Sequence, residues 1–320
     1  MAETMFTVSS SPHIRANNTV QTIMRDVIIA LLPATIAGIY FFKLQALAVI
    51  ITAVVSCILS EWIWCKATNS TNTANDLSAV VTGLLLAFNV PPSLPLWMVV
   101  IGSVFTIIVV KCLFGGIGQN IVNPALAGRA FLLASYPVAM TAWTNPVDGA
   151  TGATPLAILK GVEAGGAQLP SLGQAFIGQV GGCIGETSAL ALLIGFAYLL
   201  YRRVITWHIP VCYLGTILVL GTIFGRGNLG GMAGLYEIMV GGVMLGGIFM
   251  ATDYTTSPMT KKGQIIFAVI AGALAIIIRK WGGYPEGCSY SILIMNLFVP
   301  LIDKYVKPRV FGTWGVKKNG

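Results

Sequence analysis

Charge is what this sequence has least of. Asp, Glu, Lys and Arg make up 9% of its 320 residues, against roughly 25% in an ordinary soluble domain. So few charges cannot clothe a water-facing surface, and a lipid bilayer is the expected solvent. Histidine is nearly absent: His13 and His208 stand too far apart in sequence to argue for a metal site. The six cysteines, Cys57, Cys65, Cys112, Cys183, Cys212 and Cys288, form no C-x-x-C pair and follow no regular spacing. A complete iron–sulfur site, which wants four closely placed thiolates, is therefore not expected within this chain. Small thiols buried for packing are the simpler reading. No G-x-G-x-x-G falls in a strand–turn–helix context, which excludes a dinucleotide-binding fold. The first 25 residues are polar, carry Arg15 and Arg25, and hold no apolar core before Val27, so no secretory signal is expected and the amino terminus should be retained.

What is present is apolar. Hydrophobic residues make up 56% of the chain, and charge-free stretches of fifteen residues or more recur along it, the span 90–110 being the clearest candidate for crossing a membrane. Apolar runs bounded by Gly, Pro and charge predict helices near 27–42, 44–64, 77–89, 94–113 and 121–140, then near 183–201, 209–225, 237–252, 264–280 and 288–303. The fold class expected is an all-α polytopic membrane protein of about ten transmembrane helices. Its divisions are an N-terminal segment 1–26, a five-helix unit 27–140, a Gly-rich loop 141–182, a second five-helix unit 183–303 and a tail 304–320. The loop is the longest connection, and long connections tend to be functional.

The two units echo one another. The third helix ends at Ala87-Phe88-Asn89 before Pro91-Pro92, and the eighth at Ala251-Thr252-Asp253 before Pro258; Lys111 with Phe114-Gly115-Gly116 is matched by Arg279-Lys280 with Trp281-Gly282-Gly283. Five helices per repeat is an odd number, so the repeats must be inverted in the membrane, and interrupted helices of inverted repeats commonly meet at a central site. Equally, the prolines could simply terminate two helices. The net charge of +8 is spread through short connections, which argues against a nucleic-acid partner. Orientation explains it better. With both termini cytoplasmic, thirteen Lys and Arg fall on the cytoplasmic side and five on the other, and the loop 141–182 is placed outside the cytoplasm.

That loop contains Asp148-Gly149-Ala150-Thr151-Gly152-Ala153-Thr154-Pro155-Leu156. Small residues leave a hydroxyl accessible to a modifying enzyme. Thr154 before Pro155 also reads as the N-cap of a short helix 155–160, where free N–H groups would favour a phosphate. An unmodified capping threonine in a flexible loop fits the same residues.

The segment resembles the flavinylation signature, an Asp followed by small residues and ending Ser/Thr-Gly-Ala-Thr, in which a transferase moves FMN from FAD onto the last threonine. The likeness extends to Ser11-Pro12-His13-Ile14, to Asn123-Pro124-Ala125 opening the fifth helix, and to ten helices with the loop between the halves. The chain is similar to the family of D subunits of the Rnf complex, the ion-translocating ferredoxin:NAD oxidoreductase, and more distantly to the B subunits of the sodium-pumping NADH:quinone reductase. Only about 26 residues precede the first expected helix, which favours the former.

The resemblance implies FMN joined through its phosphate to Thr154, with Asp148, Thr151, Gly152 and Ala153 as the surrounding signature, and electrons passed in one-electron steps. It implies as partners the iron–sulfur and flavin subunits of a membrane redox complex, an FMN transferase, and Na⁺ or H⁺. The location implied is the prokaryotic cytoplasmic membrane. Relatives can also hold a second, non-covalent flavin, riboflavin, which the broken helices around Asn89 and Asp253 could frame.

Arg129 lies between Gly128 and Ala130 in an otherwise apolar helix, where a charge costs several kcal/mol unless paired. It should face the flavin phosphate or a bundle carboxylate, unless it snorkels to the interface. Asn89 and Asp253, at the paired breaks, are candidate oxygen ligands of an ion pathway. Glu61, Asp76, Glu186, Glu237 and Asp303 read mostly as interface residues near helix ends. Gly242 and Gly246 form a G-x-x-x-G suited to close helix packing. Two other functions remain open on these residues: a urea-channel-like solute transporter, and a scaffold for other subunits.

Overall fold

A computed structural model describes residues 19–70, 73–144, 152, 154–160, 169–225, 230–283 and 286–308. The motif Ser11-Pro12-His13-Ile14 lies outside them. Among the described residues the chain is helical, with no strand.

The first helix, α1 (Val20–Ala67), begins where Thr19 accepts a hydrogen bond from the Thr22 N–H and runs 48 residues. It contains both of the first two expected helices, joined at Lys43, whose φ of 54° and ψ of −135° break the helix where the sequence places the boundary. It starts well before position 27. The polar first turns are helical because Asp26 is tied to Arg202 at 3.1 Å, an interaction with no local sequence signal.

After a 3₁₀ turn come α2 (Ser78–Phe88) and α3 (Leu96–Val104), which continues as a π-helical stretch through Phe105–Cys112. Next are α4 (Pro124–Ser135), capped by Asn123, and α5 (Pro137–Met140), so the expected fifth helix is broken before Pro137. Two short helices follow, α6 (Pro155–Leu159) and α7 (Leu172–Ile177); α7 has a capping box of Ser171 and Gln174 that lies inside the expected loop.

The second unit comprises α8 (Ala189–Tyr201), α9 (His208–Ile223), α10 (Ala233–Met239), α11 (Val243–Leu245) with its π-helical continuation Gly246–Met250, α12 (Lys261–Trp281) and α13 (Cys288–Tyr305). The helix expected from 183 starts only at Ala189, because Ile184 and Gly185 instead hydrogen-bond the carbonyls of Val90 and Phe88 at the end of α2. The helix expected over 237–252 is bent by 69° between Met239 and Val243.

By length and composition two helices can cross a membrane, Val20–Ala67 and Lys261–Trp281, or three with that bent pair; Ser78–Phe88, Leu96–Cys112, Ala189–Tyr201 and His208–Ile223 are shorter but apolar. The outward faces fit an apolar solvent: Ile36, Leu44 and Ile51 of α1, Val219 and Ile223 of α9, and Ile270 and Ile277 of α12 are exposed. Hydroxyls within the helices donate back to carbonyls one turn earlier, as Ser60 does to Ser56 at 2.6 Å, Thr106 to Gly102 at 2.7 Å and Thr252 to Ile248 at 2.6 Å. Such bonds satisfy these hydroxyls within their own helices. In the first unit α1 packs on α2 and α3; in the second α9 packs on α10 and α12; α8 on α1 and α13 on α4 join the two.

Two cations near helix ends, counted on opposite faces of the membrane, are inside. Lys111, 2% exposed, donates to both oxygens of Glu61 at 2.9 Å and to Ser78 at 2.7 Å. Arg279, 1% exposed, donates to the Glu237 carboxylate at 2.7 Å and to the Val240 carbonyl at 3.2 Å. Each cation ends the fourth helical segment of its unit. Glu61 and Glu237 are thus buried ion-pair partners, not interface residues. Removing one member of such a pair leaves an uncompensated buried charge, at about 3–5 kcal/mol. Lys111→Met is accordingly expected to lower thermal stability in detergent by that order, and adding Glu61→Leu to recover most of it.

Candidate functional site

Thr154 caps α6: its φ of −66° and ψ of 155° are extended, Pro155 supplies the first helical residue, and its Oγ1 accepts from the Ala157 N–H at 3.2 Å. Leu156 and Leu159 hold this short helix against Ala175, Val180, Tyr236 and Val240, a small apolar cluster apart from the main core. The capping geometry expected from Thr154-Pro155 is present. The exposed hydroxyl is not, since Thr154 is only 3% exposed. Its side chain turns inward because the cap and the Leu156 contact pull the turn onto α10. Of the remaining signature, Gly152 donates its N–H to the Trp143 carbonyl at 3.0 Å. Asp148, Thr151 and Ala153 lie outside the described residues.

Beneath Thr154 lies a cavity of about 10 Å³ bordered by Gly182, Glu186, Gly241 and Glu286. Gly241, with φ at +79°, must be glycine: a Cβ there would also meet Leu156 at 2.6 Å. A side chain at Gly242 would lie 2.5 Å from Glu186, and one at Gly246 would lie 2.3 Å from the Cys288 sulfur. The G-x-x-x-G pair thus seats α11 against the segment before α8 and against α13.

Arg129 sits in α4, which approaches α3 so closely that a side chain at Gly128 would meet Thr106 Oγ1 at 1.9 Å. It is 4% exposed and does not snorkel. Nη1 donates to Ser289 at 2.9 Å, Asn89 at 3.2 Å and Glu186 at 3.3 Å; Nη2 donates to Glu286 and, at 3.7 Å, to Cys183. Bundle carboxylates, one of the two kinds of partner expected for Arg129, are present. Through Glu186 and Glu286 the guanidinium is one side chain removed from the cavity under Thr154.

Asn89, at the C-terminal end of α2, donates to the Leu85 carbonyl at 2.6 Å and to Met250 Sδ at 3.5 Å. Asn123 donates to the Met250 carbonyl at 3.3 Å, so the ends of both interrupted helices do meet. Asp253 lies beyond that point. Thr256 donates to it at 3.3 Å, and among the described residues no hydrogen bond joins it to Asn89. Asp253 instead borders a cavity of about 330 Å³ with Thr82, Lys111, Asn120, Asn123 and Thr252 among apolar walls including Val27, Leu85 and Phe249. This is within the usual size range of small-molecule sites.

Arg129 and Asn89 are therefore brought together, Thr154 stands one side chain away, and Asp253 is on a separate cavity. Sequence reasoning missed Glu286 and left Glu186 among the interface residues. The signal was the buried cation itself, which requires counter-charges, but nothing local says which.

The NQR2, RnfD, RnfE family model matches residues 7–312. The D subunit of the Na⁺-translocating ferredoxin:NAD⁺ oxidoreductase complex of Acetobacterium woodii is 52% identical, over 100% of this chain and 99% of that protein. The D subunit of the proton-translocating ferredoxin:NAD⁺ oxidoreductase complex of Clostridium ljungdahlii is 47% identical over 97% of each. The D subunit of the ion-translocating oxidoreductase complex of Halorhodospira halophila is 36% identical over 95% and 94%.

Proposed function

This chain belongs to the NQR2, RnfD, RnfE family, and from that premise we propose that it is the membrane-embedded D subunit of an oxidoreductase complex, carrying FMN esterified through its phosphate to Thr154. The complex would couple electron transfer between ferredoxin and NAD⁺ to translocation of Na⁺ or H⁺, the iron–sulfur and further flavin centres being held by other subunits. The observation that carries the reading is similarity over full length to D subunits of such complexes. A buried Arg–carboxylate cluster at the meeting of the interrupted helices also suits a passive solute channel poorly.

FMN bound at Thr154 supplies one-electron chemistry. The residues fit its phosphoester in one respect, because Thr154 stands before the free N–H groups of a helix start. They also set a condition. The cavity behind the hydroxyl is far too small for a flavin ring, so the ring would lie outside it, and Thr154, 3% exposed, would turn out of its cap to meet the transferase. Losing an N-cap costs about 1 kcal/mol, a small barrier to modification.

The ten apolar segments are read as ten membrane passes in two inverted repeats, with both termini cytoplasmic and the Thr154 loop outside. Withdrawing the buried Lys111 from one side and Arg279 from the other leaves the charge bias standing. The cavity bounded by Asp253 and Asn123 has the size and mixed lining for a non-covalent riboflavin. Asn89, at the centre, and Asp253, on that cavity, are the candidates for an ion pathway.

Denaturing electrophoresis under ultraviolet light tests the central claim. Co-expressed with the FMN transferase, the chain should give a fluorescent band; a dark one would sink the reading.

A further inference from the structure

Two carboxylates converge on one guanidinium inside this protein. Glu186 and Glu286 both pair with Arg129, and among the described residues neither has another cation within ion-pair distance. With both acids ionised the cluster carries one negative charge in excess. Glu186 is 4% exposed, and while its Oε1 accepts from Arg129 at 3.3 Å, its Oε2 is buried with no hydrogen-bond partner. Such an oxygen is costly as a carboxylate because desolvation is uncompensated.

The surroundings suit the acid form. Glu186 lines the small cavity under Thr154, whose other borders include the backbone of Gly181, Gly182 and Gly241. The titratable and charged groups around Glu186 are Arg129 from α4, Cys183 from its own segment, Glu286 and Cys288 from the start of α13, and Arg279 from α12, the last held by Glu237 of α10. Only Arg129 makes an ion pair with Glu186.

We propose that Glu186 is a proton-binding site beside Thr154, whose Oε2 takes up a proton when negative charge is added nearby and releases it when that charge leaves. The proton comes from hydronium on the loop side and forms an O–H bond on Oε2; no bond of the protein breaks and no electron passes through the residue. The added charge is the electron carried by the flavin, so this coupling rests on the function proposed above. Protonation itself rests only on the cluster.

Infrared difference spectroscopy on the purified complex, titrated in H₂O and D₂O, tests it. A carboxylic-acid C=O band that shifts in D₂O and titrates with pH is expected, and Glu186→Gln should remove it. Glu286→Gln should also remove it at pH 7, because the excess charge then disappears; this second variant serves if the first does not fold. The pH dependence of the flavin midpoint potential should be weaker in Glu186→Gln than in the parent complex. A band absent from the parent, or unchanged in both variants, overturns the proposal. A complex with the band but no covalent flavin leaves Glu186 as a proton site and removes the flavin reading alone.

Discussion

Thr154→Ala is expected to abolish covalent flavin completely while leaving the chain in the membrane. The phosphoester has one possible oxygen at this position, and alanine has none. The structural cost is small, since the substitution removes a single cap bond, from the Ala157 N–H, on a five-residue helix, at about 1 kcal/mol. In-gel fluorescence should fall to background and electron transfer through the assembled complex with it, whereas the amount of folded chain should change little. Thr154→Ser keeps a hydroxyl able to cap and to accept the group, and should keep part of the fluorescence. Signal persisting in Thr154→Ala would mean that a different residue carries the flavin.

Arg129→Ala should have the largest effect on stability. The guanidinium is, among the described residues, the one cation paired with Glu186 and Glu286, and it also holds Asn89 and Ser289. Its removal leaves the buried Glu186 and the part-buried Glu286 without their cation, and breaking a buried pair costs about 3–5 kcal/mol. Thermal unfolding in detergent should read that loss directly. Arg129→Lys should restore only part of it, because an ammonium cannot reach four oxygen partners with the planar fork that Arg presents. A stability unchanged in Arg129→Ala would show that the cluster is not what joins α4 to the segment before α8 and to α13. If Arg129 acted instead through the flavin phosphate, flavin content would fall without this loss of stability, so the two measurements separate the roles.

Much of the architecture was legible in composition and periodicity. Apolar runs placed most helical segments within a few residues, although the first begins seven residues earlier and the sixth six residues later than expected, and the boundary between the first two fell at Lys43, where the backbone does break. Thr154-Pro155 announced a cap because capping is local: a side-chain oxygen and an N–H three residues away. The misjudged residues share a different property. Lys111 and Arg279 were counted at the membrane faces because each ends an apolar run, yet both are buried, on partners Glu61 and Glu237 that lie 50 and 42 positions away. Glu286 gave no signal at all, although it reaches Arg129 across 157 positions.

That this chain is an apolar helical protein with few charges, interrupted helices in both halves and a threonine placed to cap a short helix follows from its residues in order, because those properties depend on neighbours within about a turn. Where its few charges are neutralised depends on the packing of the helices. That packing brought Arg129, Glu186 and Glu286 together beneath Thr154, closed that threonine inward, and put Asp253 on a separate cavity. Where water is excluded, a charge must find its partner wherever the packing of helices puts one, and that packing is a property of the whole chain.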